Sequence, residues 1–383
     1  MSNQSFQSIL LEKFRFQPTA SQVIGFEKIS HFISNGSKGS LLLIKGFAGT
    51  GKTTLIGHLV RQLSHIKKKS VLLAPTGRAA KVLSTYAGKS ALTIHKKIYF
   101  PKVDIGGAGI KFSLKENKHV HTVFIVDESS MIGDDRQQSK LFENGSLLHD
   151  LVHYVSNGKN CKLIFVGDTA QLPPVNLGLS PALDEDELNT QFNTYVHSIT
   201  LEDVVRQKAE SGILFNATRI RKLLVEDQFE GFKFQLDRFN DIQRIIEGNE
   251  FLELLNNALE EDGIDQTVLI VRSNKRANLY NRSIRERILF LESELSVGDQ
   301  LMVVKNNYFW LGADSHPGFI ANGDVIRINR INKYVDRYDM KFAEVSVQMV
   351  DYPDESEFDT VLLLETLTSE TANLSFEQSQ LLY

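Results

Sequence analysis

Gly46-Phe47-Ala48-Gly49-Thr50-Gly51-Lys52-Thr53 stands between an apolar run, Leu41 to Ile44, and an amphipathic stretch that opens at Thr54. The order reads as strand, glycine-rich phosphate loop and helix, which sets an α/β fold with its ligand at the strand's C-terminal end. Gly46, Gly49 and Gly51 let successive backbone N–H groups curl around phosphate oxygens. Lys52 supplies a point charge to the β and γ oxygens, Thr53 offers a hydroxyl to Mg²⁺, and Thr50 and Thr54 belong to the same loop and helix start. Leu55, Ile56, Leu59, Val60 and Leu63 share one face of the helix, which anchors it with its N-terminal dipole toward the nucleotide. The sequence predicts a nucleoside triphosphate site.

A second signal makes that nucleotide hydrolysable. Thr122 to Val126 has the apolar continuity of a buried parallel strand and ends in Asp127-Glu128-Ser129-Ser130. Two adjacent carboxylates at a strand's C-terminal edge divide the work: Asp127 holds the metal, and Glu128 orients and deprotonates the attacking water. An Asp-Glu pair is ordinarily only solvated; the apolar run before it and the phosphate loop upstream select the chemical reading.

Composition bounds the class. The chain has 383 residues, 42% hydrophobic and 23% charged, the make-up of two to three ordinary globular domains. No apolar run reaches about 18 residues, and residues 1–10 have no basic segment leading into a hydrophobic core, so no membrane span or secretory signal is read. Cys161 is the single cysteine, which excludes an intramolecular disulfide and a cysteine-built metal centre and fits a reducing cytoplasm. The net charge of −4 hides an asymmetry: residues 351–383 hold eight acidic side chains and no Lys or Arg, leaving residues 1–350 at +4. Of the basic clusters, Lys67-Lys68-Lys69 reads most simply as a solvated helix face. From Arg272 to Arg287, Asn274, Asn278 and Asn281 interleave with the cations, a pattern suited to phosphate, sugar and base contacts.

Further apolar runs at Val71 to Ala74, Lys162 to Val166 and Val268 to Val271 predict more parallel strands, each followed by a polar loop. Ile326 and Ile328 alternate with polar residues, as do Val345, Val347 and Met349, which predicts antiparallel strands of a small β module. Gly106-Gly107-Ala108-Gly109 marks a hairpin tip inside an insertion at residues 99–121.

Three more segments complete an ordered set: Ala74-Pro75-Thr76-Gly77-Arg78-Ala79-Ala80-Lys81-Val82-Leu83-Ser84, Thr93-Ile94-His95, and Gly167-Asp168-Thr169-Ala170-Gln171-Leu172-Pro173-Pro174-Val175. With the phosphate loop and Asp127-Glu128, they resemble the motifs of superfamily 1 helicases, in the RecD/Dda-like branch that moves 5′ to 3′ on single-stranded DNA; the likeness runs over residues 18–324. The resemblance implies a P-loop NTPase of tandem recA-like parallel-sheet domains that uses ATP and Mg²⁺. The first domain would occupy residues 1–210 and an incomplete second residues 211–324, followed by a partial SH3-like β module at residues 325–383.

Carried over by position, the resemblance makes Gln22 a reader of the adenine edge, although a helix N-cap at Thr19 or Ser21 explains the same segment. It makes Gln171 a γ-phosphate sensor and Arg206 an arginine finger beside Lys52 and Glu128. DNA contacts fall to Pro75, Thr76, Arg78, Thr93 and His95, and further on to Asn274, Asn281, Arg285, Asn307 and Asn322; a plain turn accounts equally for Asn322-Gly323-Asp324. Tyr99 and Phe100 open the insertion, which in the family is a strand-separating pin. They either stack on a base at the fork or belong to local core.

One departure matters. Two later family motifs, one carrying a second arginine finger, do not occur before Tyr383, so the chain reads as part of a longer helicase, expected to bind Mg-ATP and hydrolyse it weakly. The implied activity is ATP-dependent movement on DNA in repair or recombination, with a 5′-tailed duplex as substrate and a nuclease or repair protein as partner. The alternatives are an RNA helicase of the same superfamily, the helicase-bearing alpha subunit of an exodeoxyribonuclease complex, and a nucleotide-controlled binding module without motor action. A 3′ to 5′ helicase of the UvrD type fits less well, because Gln171-Leu172-Pro173-Pro174 stands where that group runs Gln-Ser-Ile-Tyr.

Overall fold

The computed structural model describes residues 5–37, 39–103, 110–133, 146–174, 176–203, 211–226, 231–264, 266–304, 307, 310–311, 320, 322–337 and 339–368. The chain divides into two compact units, Met1–Phe232 and Lys233–Tyr383. In order, the first unit contains α1 (Phe6–Glu12), α2 (Ala20–Asn35), β1 (Leu41–Gly46), α3 (Lys52–Gln62), β2 (Lys69–Ala74), α4 (Gly77–Ala87), β3 (Ala91–Thr93) and α5 (Ile94–Ile98). It continues with β4 (Tyr99–Val103), β5 (Ile110–Leu114), β6 (Thr122–Val126), α6 (Leu147–Ser156), β7 (Lys162–Gly167), α7 (Glu185–Phe192), β8 (Val196–Leu201) and α8 (Gly212–Val225).

Six strands form one parallel sheet in the order β3-β2-β6-β7-β1-β8. Their near-continuous apolar composition follows from burial on both faces. Alternate side chains serve opposite layers: Leu42, Ile44, Val123, Ile125, Ile164 and Val166 pack with Phe26, Ile29, Leu55, Leu59 and Leu83 from α2, α3 and α4. Leu41, Leu43, Phe124, Val126, Leu163 and Phe165 pack with Ile94, Leu148, Leu151 and Leu188 from α5, α6 and α7. The register pairs Lys45 with Gly167, Val126 with Phe165, Leu73 with Val126, and Ala74 with Thr93. The C-terminal ends of β1, β2, β3, β6 and β7 therefore share one edge, and every motif read from the first unit's strands opens there. β4 and β5 form a separate two-stranded antiparallel hairpin with Tyr99 opposite Leu114. Its expected tip, Gly106 to Gly109, lies outside the described residues.

The second unit contains α9 (Gly248–Glu261), α10 (Asn274–Arg287), β9 (Gln300–Met302), β10 (Val325–Arg337), β11 (Met340–Met349), β12 (Phe358–Leu363) and α11 (Glu365–Thr368). The strands run antiparallel in the order β12-β11-β10-β9 around Ile326, Ile328, Val345, Val347 and Met349, the residues whose alternation predicted them. Val268 to Val271, expected as a parallel strand, forms no ladder among the described residues, and Val268 and Ile270 are 79% and 90% exposed. A parallel strand needs a partner along its edge and a layer over each face. Among the described residues the second unit supplies helices and an antiparallel sheet, and no second parallel sheet. No helix there or in the first unit is long and apolar enough to cross a membrane, among the residues described.

Candidate active site

β1 delivers the chain into the phosphate loop at Gly46, where a Cβ would come within 2.8 Å of Thr50 Oγ1 and 3.0 Å of Leu201. Gly49 and Gly51 hold φ of +84° and +85°, and a Cβ on Gly51 would also meet Gln22 Nε2 at 2.7 Å. Gly51 is the N-cap of α3 and makes no side-chain cap, which leaves the first N–H groups of that helix to an anionic ligand. Thr53 and Thr54 follow in its first turn, half-buried. The buried Thr50 donates its hydroxyl to Phe47 O at 2.8 Å. Lys52 Nζ donates to Gly46 O at 2.6 Å and Phe47 O at 3.0 Å, and stands 3.9 Å from Asp168 Oδ2. Burial lowers the Lys52 pKa most, opposed by Asp168, Asp127 and Glu128 and assisted by the charge of Arg221.

Gln22 joins two elements. Its Oε1 accepts from Thr19 N at 3.2 Å, the Thr19 hydroxyl accepts from Gln22 N at 3.4 Å, and Gln22 Nε2 donates to Thr50 O at 3.1 Å. The N-cap reading is thus realised at Thr19, as a reciprocal capping box, while the buried Gln22 ties α2 to the phosphate loop. Ser21 turns the other way: its N–H and hydroxyl donate to Asp203 Oδ2 at 3.0 and 2.7 Å, and these bonds hold the Asp203 carboxyl below its ordinary pKa. Arg206, three positions on, lies outside the described residues.

At the end of β6, Asp127 is buried and its Oδ1 accepts from Glu128 N at 3.0 Å. Burial pushes its carboxyl up to about 6. Glu128 sits at φ +53°, ψ 38°, a left-handed conformation that costs a non-glycine residue roughly 1–3 kcal/mol and persists only where its surroundings impose it. The imposing contacts are visible. Ser129 Oγ donates to Val126 O at 2.9 Å, and the buried Ser180 hydroxyl lies 2.8 Å from Ser129 O and 2.7 Å from Ile132 O, sharing its proton between them. Ser130 Oγ donates to Gln171 Oε1 at 2.8 Å, which joins the turn after β6 to the turn after β7.

The donor set fits Mg²⁺ with a nucleotide. Asp127 is a desolvated carboxylate, Thr53 sits at an uncapped helix start, and the glycines leave room for close approach; together Thr53 and Asp127 could hold the ion. No cluster of three His, Cys, Asp or Glu ligands occurs among the described residues.

Further along the edge, Thr76 and Thr93 accept from Ala79 N at 3.3 Å and Lys96 N at 3.2 Å, capping α4 and α5. Pro75 precedes the first cap and the exposed Arg78 follows it. β3, which leads into Thr93 and His95, lies four strands from β1, roughly 19 Å at ordinary strand spacing, whereas β2, which leads into Pro75, Thr76 and Arg78, pairs directly with β6, the strand that ends at Asp127. Burial pushes His95 down to about 4, making it a neutral imidazole near pH 7, with its ring 5.9 Å from that of Tyr99. The two aromatics that open the hairpin divide. Tyr99 is buried and donates to the fully buried Asp150 Oδ2 at 2.7 Å, whereas Phe100 is 43% exposed.

In the second unit, Asn274 opens α10 behind the N-cap Ser273, and Asn281 is exposed on the same helix. Arg285 binds Asp299 through both edges, Nε to Oδ1 and Nη2 to Oδ2, each 2.9 Å, so its fork is committed within the unit. Asn307 bridges Ile320 and accepts from Trp310 N at 3.1 Å; Asn322 occupies a turn.

Residues 31–177 match the family model described as an AAA domain, a span that contains the phosphate loop, Asp127-Glu128 and Gln171. The chain is similar to RecD/Dda-like superfamily 1 helicases. It is 31% identical over 174 residues to the ATP-dependent RecD2 DNA helicase of Deinococcus radiodurans, covering 45% of this chain and 21% of that one. With the ATP-dependent DNA helicase dda of Enterobacteria phage T4 it shares 25% identity over 305 residues, 74% of this chain and 62% of that one. The crystal structure of Pif1 helicase from Bacteroides in complex with ADP-AlF3 and ssDNA shares 18% identity over 87% of this chain and 72% of that one, at a TM-score of 0.36, too low to place any side chain. The chain spans about a fifth of the RecD2 helicase and three-fifths of dda.

Reading this RecD/Dda-like sequence by motif passed over four residues that the structure brings to the nucleotide edge. Asp168 had a signal, since it stands in the quoted segment Gly167 to Val175, two positions past the predicted strand. Ser130 and Asp203 flank motifs but have no distinguishing spacing. Arg221, on α8, places its guanidinium over the Phe47 ring, 5.1 Å from the centroid, and nothing local in the sequence announces it.

Proposed function

We propose that this RecD/Dda-like chain hydrolyses ATP at the edge formed by β1, β6 and β7, driving 5′ to 3′ movement along single-stranded DNA within a helicase of repair or recombination. The observation that carries the reading is the meeting of Lys52, Asp127, Asp168 and a conformationally forced Glu128 beside a glycine cradle with an uncapped helix start. Glu128 is the general base: its carboxylate takes the proton of the water that attacks the γ-phosphorus. Lys52 exchanges the carbonyls of Gly46 and Phe47 for phosphate oxygens. When bound through Thr53 and Asp127, Mg²⁺ neutralises charge on the β and γ oxygens. Gln171, held by Ser130, senses the γ-phosphate, and Arg206 adds positive charge to the transferring group.

Pro75, Thr76, Arg78, Thr93 and His95 would take the DNA strand along the same edge, with Asn274, Asn281, Asn307 and Asn322 contributing from the second unit. Such contacts go mainly to the backbone, so affinity falls steeply with salt and varies little with sequence. The exposed Phe100 of the hairpin would be the side chain to stack on a base at a fork, since Tyr99 is buried.

The test is ATP turnover with and without single-stranded oligonucleotides, together with unwinding of 5′- and 3′-tailed duplexes. Glu128→Gln should bind nucleotide and lose on the order of 10² or more in turnover, whereas Lys52→Ala should lose nucleotide binding. Equal turnover in wild type and Glu128→Gln would overturn the site. Stimulation by RNA in place of DNA would move the substrate, and no stimulation by either would leave a nucleotide-controlled binding module.

A further inference from the structure

α8 approaches the phosphate loop with one cation. Arg221 is half-buried, its guanidinium lies 5.1 Å from the centroid of the Phe47 ring, and no carboxylate pairs with it among the described residues. Phe47 is no ordinary surface ring, because its carbonyl is one of the two that hold Lys52 Nζ, at 3.0 Å, and also receives the Thr50 hydroxyl at 2.8 Å. Arg221 also stands close enough for its charge to oppose protonation of Lys52. Asp168, Asp127 and Glu128 act on Lys52 more strongly than Arg221 does, so the two cations are not left bare; a polyanion that reaches both gains from each. A planar guanidinium suits this position, since it stacks on an aromatic face and still presents N–H donors outward to phosphate oxygens.

We propose that Arg221 is a phosphate-binding residue of the nucleotide site, seated on Phe47 and supplying, with Lys52, a second fixed cation to the triphosphate. The proposal rests on the reading of Gly46 to Thr53 as a nucleotide site. Helix α8 follows the segment that carries Arg206, so the contact also gives nucleotide binding a direct mechanical hold on that helix.

Binding of fluorescent ATP and ADP analogues to the full chain, measured over a salt series, tests it. Arg221→Ala should weaken ATP binding on the order of tenfold and ADP binding less, with a shallower salt dependence. Arg221→Lys should recover most of the loss, because charge is the essential property, and Phe47→Leu should fall between, because it unseats the guanidinium without removing its charge. An unchanged melting temperature in Arg221→Ala separates the effect from folding. Nucleotide affinity unchanged in Arg221→Ala while Lys52→Ala abolishes binding would overturn the proposal and leave the site intact; unchanged affinity in both would overturn the site itself. Arg221→Lys as weak as Arg221→Ala would also overturn it, by showing that stacking and not charge is what Arg221 contributes.

Discussion

Replacing Asp127 with Asn should make the nucleotide-free protein more stable while removing its use of Mg²⁺. Burial raises the carboxyl from its ordinary 3.8 to about 6, a difference worth about 3 kcal/mol. A carboxyl whose pKa is raised by folding contributes its stability in full below the unfolded value, and loses it as pH rises through the folded value. From this group, wild type is therefore most stable below about pH 4 and bears the whole cost of a buried charge above about pH 6 to 7. Asparagine keeps an oxygen to accept from Glu128 N, the bond now made at 3.0 Å, and carries no charge. The gap in favour of Asp127→Asn should open between pH 4 and 7 and level at up to about 3 kcal/mol, roughly 5–10 °C in melting temperature for a unit of this size. Thermal and urea unfolding across that range, with and without Mg-ATP, measure it. Saturating Mg-ATP should stabilise wild type by about 3 kcal/mol at a hundredfold excess over Kd and leave the variant unmoved. A variant less stable than wild type at pH 8, or a gap that ignores pH, would refute the reasoning.

Tyr99→Phe removes the O–H donated to the buried Asp150 Oδ2 and should cost about 1–3 kcal/mol in urea unfolding without changing nucleotide affinity. Arg285→Ala leaves Asp299 without its bidentate partner and should lower the second unit's stability by about 1–3 kcal/mol, with Arg285→Lys a poor replacement because an ammonium cannot match both carboxylate oxygens. Loss of single-stranded DNA binding at unchanged stability would instead show that this guanidinium serves the DNA.

Much of the proposed nucleotide site was legible because its chemistry is local. A phosphate loop is one strand, one turn and one helix start, and Asp127-Glu128 is one strand end, so eight consecutive residues or two adjacent ones carry the signal. The alternating Ile326, Ile328, Val345 and Val347 were legible for a related reason: a half-buried antiparallel strand writes its periodicity into its own composition. Apolar continuity alone was insufficient at Val268 to Val271, since a parallel strand exists only where other segments supply its partners. Tyr99 and Phe100, adjacent and alike in sequence, took opposite environments because successive side chains of a strand point to opposite faces. Arg285, read from the resemblance as a DNA contact, pairs with Asp299 fourteen positions on, a partner that no local pattern announces.

By itself the sequence determined the phosphate loop, the carboxylate pair, the parallel-sheet α/β class and the order of motifs, all set by residues near one another in the chain. Only the tertiary structure decided that Ser21 is held by Asp203, 182 residues away, that Gln22 reaches the loop carbonyl of Thr50, and that Arg221 comes to rest on Phe47. Those contacts depend on how helices and strands distant in sequence pack, and packing is governed by the summed burial of many side chains, which no single short segment records.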